Sequence, residues 1–303
     1  MTKPVKDIAA SVRHRLQNAA KASGRPFQEV LEYFAMERFL YRLARSPHAS
    51  RFVLKGALLF RAWGGPASRP TRDIDLLARM ENTVEAVVRV FREVCGIGVE
   101  SDGMVFDSES VVGTVIKEDA EYSGVRVTFL GTLQNARVAM QADIGFADVV
   151  TPGPVPMVYP VILELPAPHL DGYTRETVVA EKFEAMMKLG ALNSRMKDFY
   201  DLWVLARRFD FDGATLALAV ARTFANRKTA VVPGTLALTP GFALIAGKEA
   251  QWKGFLRKSK ITDAPGELAA VTAELGEFLR PVATAVAAGA DFRHAWRAPG
   301  PWG

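Results

Sequence analysis

The segment Arg51 to Ala78, RFVLKGALLFRAWGGPASRPTRDIDLLA, constrains the fold of this chain more than any other. An apolar run, Phe52-Val53-Leu54, stops at Lys55-Gly56, and Ala57 to Trp63 has the pattern of a short helix, so the segment reads strand, glycine turn, helix. A helix entered this way turns its first N–H groups and the positive end of its dipole outward, which suits a phosphate beside Lys55 and Gly56. After a loop from Gly64 to Pro70 the chain extends again at Asp73-Ile74-Asp75-Leu76-Leu77. Side chains alternate along a strand, so Asp73 and Asp75 share one face. Two carboxylates at that spacing form an oxygen-rich clamp that suits Mg2+, with positions left for phosphate oxygens and water. A D-x-D pair by itself is also what a solvated edge strand carries. The order strand, glycine turn, helix, D-h-D is what puts phosphate donors beside a metal clamp.

At 303 residues, with 49% hydrophobic and 23% charged residues, the chain can bury a sizeable core and is long enough for two domains. Cys95 is its one cysteine, which rules out an internal disulfide and predicts a reducing, cytoplasmic setting. The start lacks the apolar stretch of a secretory signal, and the most apolar late stretch, Thr229 to Gly247, is broken by Pro233, Gly234, Pro240 and Gly241. No membrane segment is expected. A formal net charge of +5 favours a polyanionic partner. His14, His48, His169 and His294 show no metal-ligand spacing, which argues against a zinc enzyme.

Ahead of the central segment, Val5 to Ala22 and Pro26 to Arg45 are helical patterns split by Ser23-Gly24-Arg25. Their basic residues Arg13, Arg15, Lys21, Arg38, Arg42 and Arg45 read as a solvated face or as a charged rim above a nucleotide site. Past the D-h-D strand, Val84 to Val94 is helical and should cover one sheet face. Extended patterns follow at Val111 to Ile116, Val125 to Leu130 and Arg137 to Ile144, with turns at Lys117-Glu118-Asp119 and Ser123-Gly124. In the last of them Val138, Met140, Ala142 and Ile144 alternate with Ala139, Gln141 and Asp143. Asp143 therefore projects opposite the large apolar residues and is the candidate third carboxylate, with Asp148 a less well placed rival. Thr71, two residues before Asp73, shares the face of Asp73 and Asp75 by the same alternation, which turns its hydroxyl toward the cleft; a plain strand-entrance residue after Pro70 is the simpler reading.

Thr151 to Pro168 holds Pro152, Pro154, Pro156, Pro160, Pro166 and Pro168 and reads as an extended crossing. It separates a mixed-sheet domain with N-terminal helices, residues 1–160, from a helical domain, residues 161–303. From Arg175, Val178, Val179, Ala185, Met186 and Leu189 form an apolar stripe that contains Lys182, whereas Lys188 lies off it and reads as solvated. A lysine inside such a stripe snorkels along its stem, or beside a phosphate cleft supplies charge for a triphosphate. Asp198 and Asp201, three apart, are neighbours on one helical face; a cap at Asp198 for a helix starting at Phe199 is the plainer alternative. Leu216 to Phe224, Ala250 to Leu256 and Glu267 to Leu279 are further helical patterns, and Pro281 should end or kink the last. Gln251 to Lys260 mixes aromatic with basic residues, which fits either RNA contact or a packed helix.

Taken together and in order, MERFLYRLARS, RFVLKGALLFRAW, RPTRDIDLLA, ETVVAEKFEAMMKLG and NSRMKDFYDLW resemble the nucleotidyl transferase toxins of the AbiEii/AbiGii family, which includes mycobacterial tRNA-modifying toxins, over roughly residues 30 to 205. The resemblance implies an α+β chain: a minimal nucleotidyltransferase fold, a mixed sheet with flanking helices, followed by a helical bundle. It also implies the toxin of a toxin–antitoxin phage-defence system that uses Mg2+ to transfer a nucleotide from a nucleoside triphosphate to the 3′ end of tRNA, blocking translation and growth. Transfer to a protein, or a binding protein with a degenerate site, are the alternatives; the retained Asp73, Asp75, Asp143 and Lys182 speak for an enzyme. The implied partners are tRNA and a cognate antitoxin. Position by position, Gly56 takes the place of the phosphate-turn glycine, with Lys55 and Thr71 in the nucleotide-binding set. Asp73 and Asp75 take the metal pair, and Asp143 the third carboxylate. Lys182 falls in the family's lysine motif and Asp198 with Asp201 in its aspartate motif. Ala57 stands where the wider superfamily often has Ser or Gly, which leaves phosphate contact to backbone N–H groups. Modification of a hydroxyl residue near the D-h-D motif is one way an antitoxin silences such a toxin, which marks Thr71 as a candidate regulatory position.

Overall fold

The computed structural model describes residues 7–64, 69–117 and 123–303. The expected loop residues Gly65 to Ser68 and the turn residues Glu118 and Asp119 lie outside them. Met1–Ala147 with Val155–Gly172 form one compact unit, and Asp148–Pro154 with Tyr173–Gly303 form a second.

The first unit opens with α1 (Ile8–Ser23), where the Asp7 carboxylate accepts the Ala10 N–H at 2.9 Å and Gly24, at φ +66°, closes the other end in the left-handed conformation. There follow α2 (Phe27–Arg45), β1 (Phe52–Lys55), α3 (Leu58–Ala62), β2 (Asp73–Ala78), α4 (Val84–Cys95), β3 (Met104–Lys117), β4 (Ser123–Leu133), β5 (Ala136–Gly145), β6 (Val155–Val158) and β7 (His169–Gly172). The strands form one mixed sheet in the order β3-β4-β5-β2-β1-β7-β6. β2 runs parallel to β5 and antiparallel to β1, while β3, β4 and β5 form an antiparallel meander.

Helices cover one face of this sheet because the strands alternate. Along β5, Val138, Met140, Ala142 and Ile144 are buried. Phe39 of α2 lies 5.3 Å from Phe91 of α4 and 4.6 Å from Phe129 of β4, centroid to centroid, which ties both helices to the meander. Burying each ring contributes on the order of 1.5–3 kcal/mol. α4 seats close to β3 because Gly113 has no side chain: a Cβ there would stand 2.7 Å from Val84 and Val88.

Two expectations fail in this unit. Arg38 and Arg42 are neither a solvated face nor a rim, being 1% and 5% exposed. Arg42 donates to both Asp102 oxygens, at 2.7 and 3.1 Å, and Arg38 donates to the Pro166 carbonyl at 2.9 Å. Buried guanidinium groups need such partners, and these come from far along the chain. Nor is Thr151 to Pro168 only a crossing, since its middle forms β6, antiparallel to β7. β6 is the last strand in the sheet, where Pro156 is tolerated because an edge leaves one side of the ladder unpaired.

The second unit is helical: α5 (Arg175–Leu189), α6 (Met196–Arg208), α7 (Gly213–Asn226), α8 (Lys248–Ser259) and α9 (Leu268–Ala288), with a two-stranded ribbon of β8 (Phe211–Asp212) and β9 (Ala295–Trp296). Thr174 and Asp212 cap α5 and α7, accepting the N–H groups of Thr177 and Thr215. α9 continues past Pro281 to Ala288, so the proline does not end the helix. A proline inside a helix costs about 3 kcal/mol, and the burial of Phe278, Leu279, Val282 and Ala283 around it outweighs that. Trp252 is fully buried and its Nε1 donates to the Pro265 carbonyl at 2.9 Å, so in the basic-aromatic stretch this ring packs inward and offers no base a platform. Among the described residues no helix is long and apolar enough to cross a membrane.

Candidate active site

On the sheet face opposite the phenylalanine core, the strand register lines up a row of charge. Lys55 pairs with Asp75 between β1 and β2, Asp75 with Asp143 between β2 and β5, and Asp143 with Arg126 between β5 and β4. One step along, Asp73 pairs with Gln141 and Gln141 with Thr128. The intervening Ile74 and Leu76 are buried on the other face, so the apolar alternation that builds the core also brings the three carboxylates side by side.

Gly56, at φ +74°, stands where the chain leaves β1. A Cβ there would lie 2.6 Å from Asp75 Cγ and closer still to one carboxylate oxygen, so the glycine is required by the approach of the Asp75 carboxylate as well as by the backbone. α3 is only five residues long, and the Leu59 and Phe60 N–H groups bond back to the Gly56 and Ala57 carbonyls at 3.3 Å. Ala57, at its start, gives no side-chain cap.

Asp143 is held by a two-pronged contact. Arg126 donates from Nε to Oδ1 at 2.8 Å and from Nη2 to Oδ2 at 2.7 Å. The Asp143 hydrogen bonds hold the Arg126 guanidinium even further toward its charged form, burial opposes this, and the fields of Asp143, Asp73 and Asp75 add to it. Arg126 therefore belongs electrostatically to all three carboxylates. Sequence reasoning missed it. β4 alternates Val125, Val127 and Phe129 with Arg126 and Thr128, but only the pairing with β5 reveals its neighbour. The signal lay in the tight turn: counting seven residues outward from the Leu133–Ala136 pair reaches Arg126 on one side and Asp143 on the other.

Thr71 precedes β2, which begins at Asp73, so strand alternation does not orient its side chain. Its N–H donates to Tyr33 Oη at 3.2 Å, and the Arg61 guanidinium lies 4.6 Å from the centre of the Tyr33 ring. Nearby, Glu37 is 1% exposed; burial pushes its carboxyl up to about 7, against the opposing pull of Arg38, the Ile162 N–H and Arg61. The Cys95 thiol is pushed up to about 12 by burial, which leaves it no part as a nucleophile.

In the helical unit, Lys182 on α5 reaches Asp198 Oδ1 at 2.6 Å and Asp201 Oδ2 at 2.8 Å, both on α6. Asp198 does not cap a helix: α6 begins at Met196, which puts Asp198 in its first turn. Lys188 is exposed, as its position off the stripe implied. Asp148, the rival third carboxylate, is held in this same unit by Arg227 at 2.8 Å and by the Tyr173 hydroxyl at 3.2 Å.

Among the described residues no three Asp, Glu, His or Cys side chains converge on a common point for a metal ion as they stand. The carboxylate row still fits Mg2+, which takes one or two protein carboxylates and completes its shell with water and substrate phosphates instead of a closed protein cage. Asp73 and Asp75 supply such a pair on one face, and Asp143 stands next to Asp75.

A mixed sheet carrying paired carboxylates beside a glycine turn, with helices on its other face, is the architecture of a nucleotidyltransferase. The chain belongs to the nucleotidyl transferase AbiEii toxin family of type IV toxin–antitoxin systems, whose family model matches residues 38–288. That match extends well into the helical half, where the sequence motifs had ended at Trp203. No curated protein matches the chain. Among solved structures, it is similar to JHP933 from Helicobacter pylori at 14% identity, with 86% of this chain and 93% of that one covered and a TM-score of 0.45. A second H. pylori structure, provisionally described as a nucleotidyltransferase, matches at 15% identity over 86% and 96% of the two chains, with a TM-score of 0.44.

Proposed function

We propose that this nucleotidyltransferase toxin transfers a nucleoside monophosphate from a nucleoside triphosphate to the 3′ end of tRNA, with Mg2+, and so halts translation and growth. The observation that carries the reading is the register alignment of Asp75 with Asp143, with Asp73 on the same face and Gly56 against the Asp75 carboxylate. In this proposal Asp73 and Asp75 hold the metal ion that accompanies the nucleotide, and Asp143 is the third carboxylate. Bound there, Mg2+ would neutralise phosphate charge and lower the pKa of the attacking hydroxyl.

The chain's own residues do the rest by position and charge. Gly56 lets the turn backbone lie against Asp75, and Lys55, at the end of the charged row, offers a cation to the phosphates. Thr71, tethered through its N–H to Tyr33, sets the entry into β2 and belongs to the nucleotide-binding set. Lys182 supplies further positive charge for the triphosphate, with Asp198 and Asp201 fixing the direction of its ammonium group. The tRNA hydroxyl oxygen bonds to the α-phosphorus in line with the departing oxygen, and pyrophosphate leaves. A toxin of a type IV system has an antitoxin as partner.

The test is to incubate the purified protein with each labelled triphosphate, Mg2+ and total RNA. The expected outcome is label in the tRNA band that is lost in Asp75→Asn. Label on protein instead, or none in any RNA, would refute the tRNA assignment.

A further inference from the structure

Arg126 has no part in the motifs that define the site, yet it is bound by both prongs of its guanidinium to the carboxylate row. Its fork occupies both Asp143 oxygens, 41% of its side chain is exposed, and its partner Asp143 is 18% exposed. Asp75 and Asp143 are register neighbours in adjacent parallel strands, an arrangement in which like charges repel. In the protein alone, Arg126 offsets that repulsion. The two-pronged geometry and the 18% exposure of Asp143 keep the pair closed until a competing charge arrives, and the 41% exposure of the Arg126 side chain leaves it room to swing away.

A divalent ion held by Asp73, Asp75 and Asp143 changes the balance, because two positive charges then stand close to the guanidinium. The negative charge that arrives with the ion is a nucleotide phosphate, whose oxygens fit the arginine fork as a carboxylate does. We propose that Arg126 holds Asp143 in the metal-free protein and passes to a nucleotide phosphate when the metal ion arrives, which makes it a substrate-binding residue. This inference rests on the nucleotidyltransferase reading of the site.

The experiment titrates Mn2+ into the protein without nucleotide, following the electron paramagnetic resonance of the free ion, and separately measures KM for the triphosphate. Arg126→Gln should bind Mn2+ about tenfold more tightly than wild type, the scale for removing a unit charge about 5 Å from a divalent ion in water-like surroundings. It should also raise KM about tenfold or more with a smaller change in kcat. Arg126→Lys, which keeps the charge and loses the fork, should bind Mn2+ as wild type does and still raise KM; it carries the test if Arg126→Gln fails to fold. Unchanged or weaker Mn2+ binding in Arg126→Gln, or an unchanged KM in both variants, overturns the inference. If wild type binds no Mn2+, or Asp75→Asn binds it equally well, the metal reading itself falls and takes the role of Arg126 with it.

Discussion

Replacing Gly56 by alanine tests the geometry of the site at its tightest point. Gly56 has φ +74°, and a left-handed backbone costs an L-residue about 1–2 kcal/mol. The new methyl would also stand 2.6 Å from Asp75 Cγ and closer still to one of its oxygens, where ordinary contact begins at 3.4 Å, so the carboxylate must retreat by at least about 0.8 Å. A displacement of about 1 Å at a reacting centre costs on the order of 10²-fold in rate. Gly64 is the internal control. It has a similar φ of +68° but, among the described residues, nothing within 4 Å of a built Cβ, so Gly64→Ala carries the backbone cost without the collision. Both variants should melt a few degrees below wild type in a thermal shift assay. Initial rates of label transfer should then fall about 10²-fold further in Gly56→Ala than in Gly64→Ala. Equal activity in the two would refute the claim that Gly56 is needed for the position of Asp75.

Three other outcomes are expected. Asp73→Ala should abolish transfer and growth inhibition while the melting curve stays close to wild type, since Asp73 is half-buried on the face away from the core; substantial turnover by a folded variant would sink the role assigned to the carboxylate pair. Lys182→Ala should reduce the rate by on the order of 10²-fold or more, the scale for losing a preorganised charge, whereas Lys188→Ala should do little, and the reverse order in steady-state kinetics would overturn the assignment. Glu37, with its carboxyl raised by burial from 4.5 to about 7, binds its proton more tightly folded than unfolded. Its contribution to stability is therefore present below pH 4.5 and is lost as pH rises through about 7, by up to a few kcal/mol. Melting temperatures of Glu37→Gln should fall less over that range than those of wild type, and identical slopes would refute the assignment.

The parts of the site that could be read from sequence are those governed by short-range periodicity. Two-residue alternation put Asp73 with Asp75 and aimed Asp143 away from Val138, Met140 and Ile144, because a strand side chain needs only its neighbours to know its face. Helical spacing set Lys182 apart from Lys188 on the same physical ground. What escaped depends on pairing across the chain. Arg126 is seventeen residues from Asp143 and meets it only once the β4–β5 register is set. Arg42 looked solvated because Asp102 lies sixty residues away. Pro281 and Trp252 were left open for a related reason: burial by distant helices decides both, and it overrides local helix preference at the first and surface chemistry at the second. Thr71 fell just outside β2, where the alternation rule no longer applies.

The most direct measurement of the central claim is sequencing of tRNA 3′ ends from cells that express this chain or its Asp75→Asn variant. Nucleotides added beyond the mature 3′ end with the wild-type chain, appearing before growth stops and absent with Asp75→Asn, are the predicted result. Growth arrest by the wild-type chain with every tRNA end unaltered would contradict it.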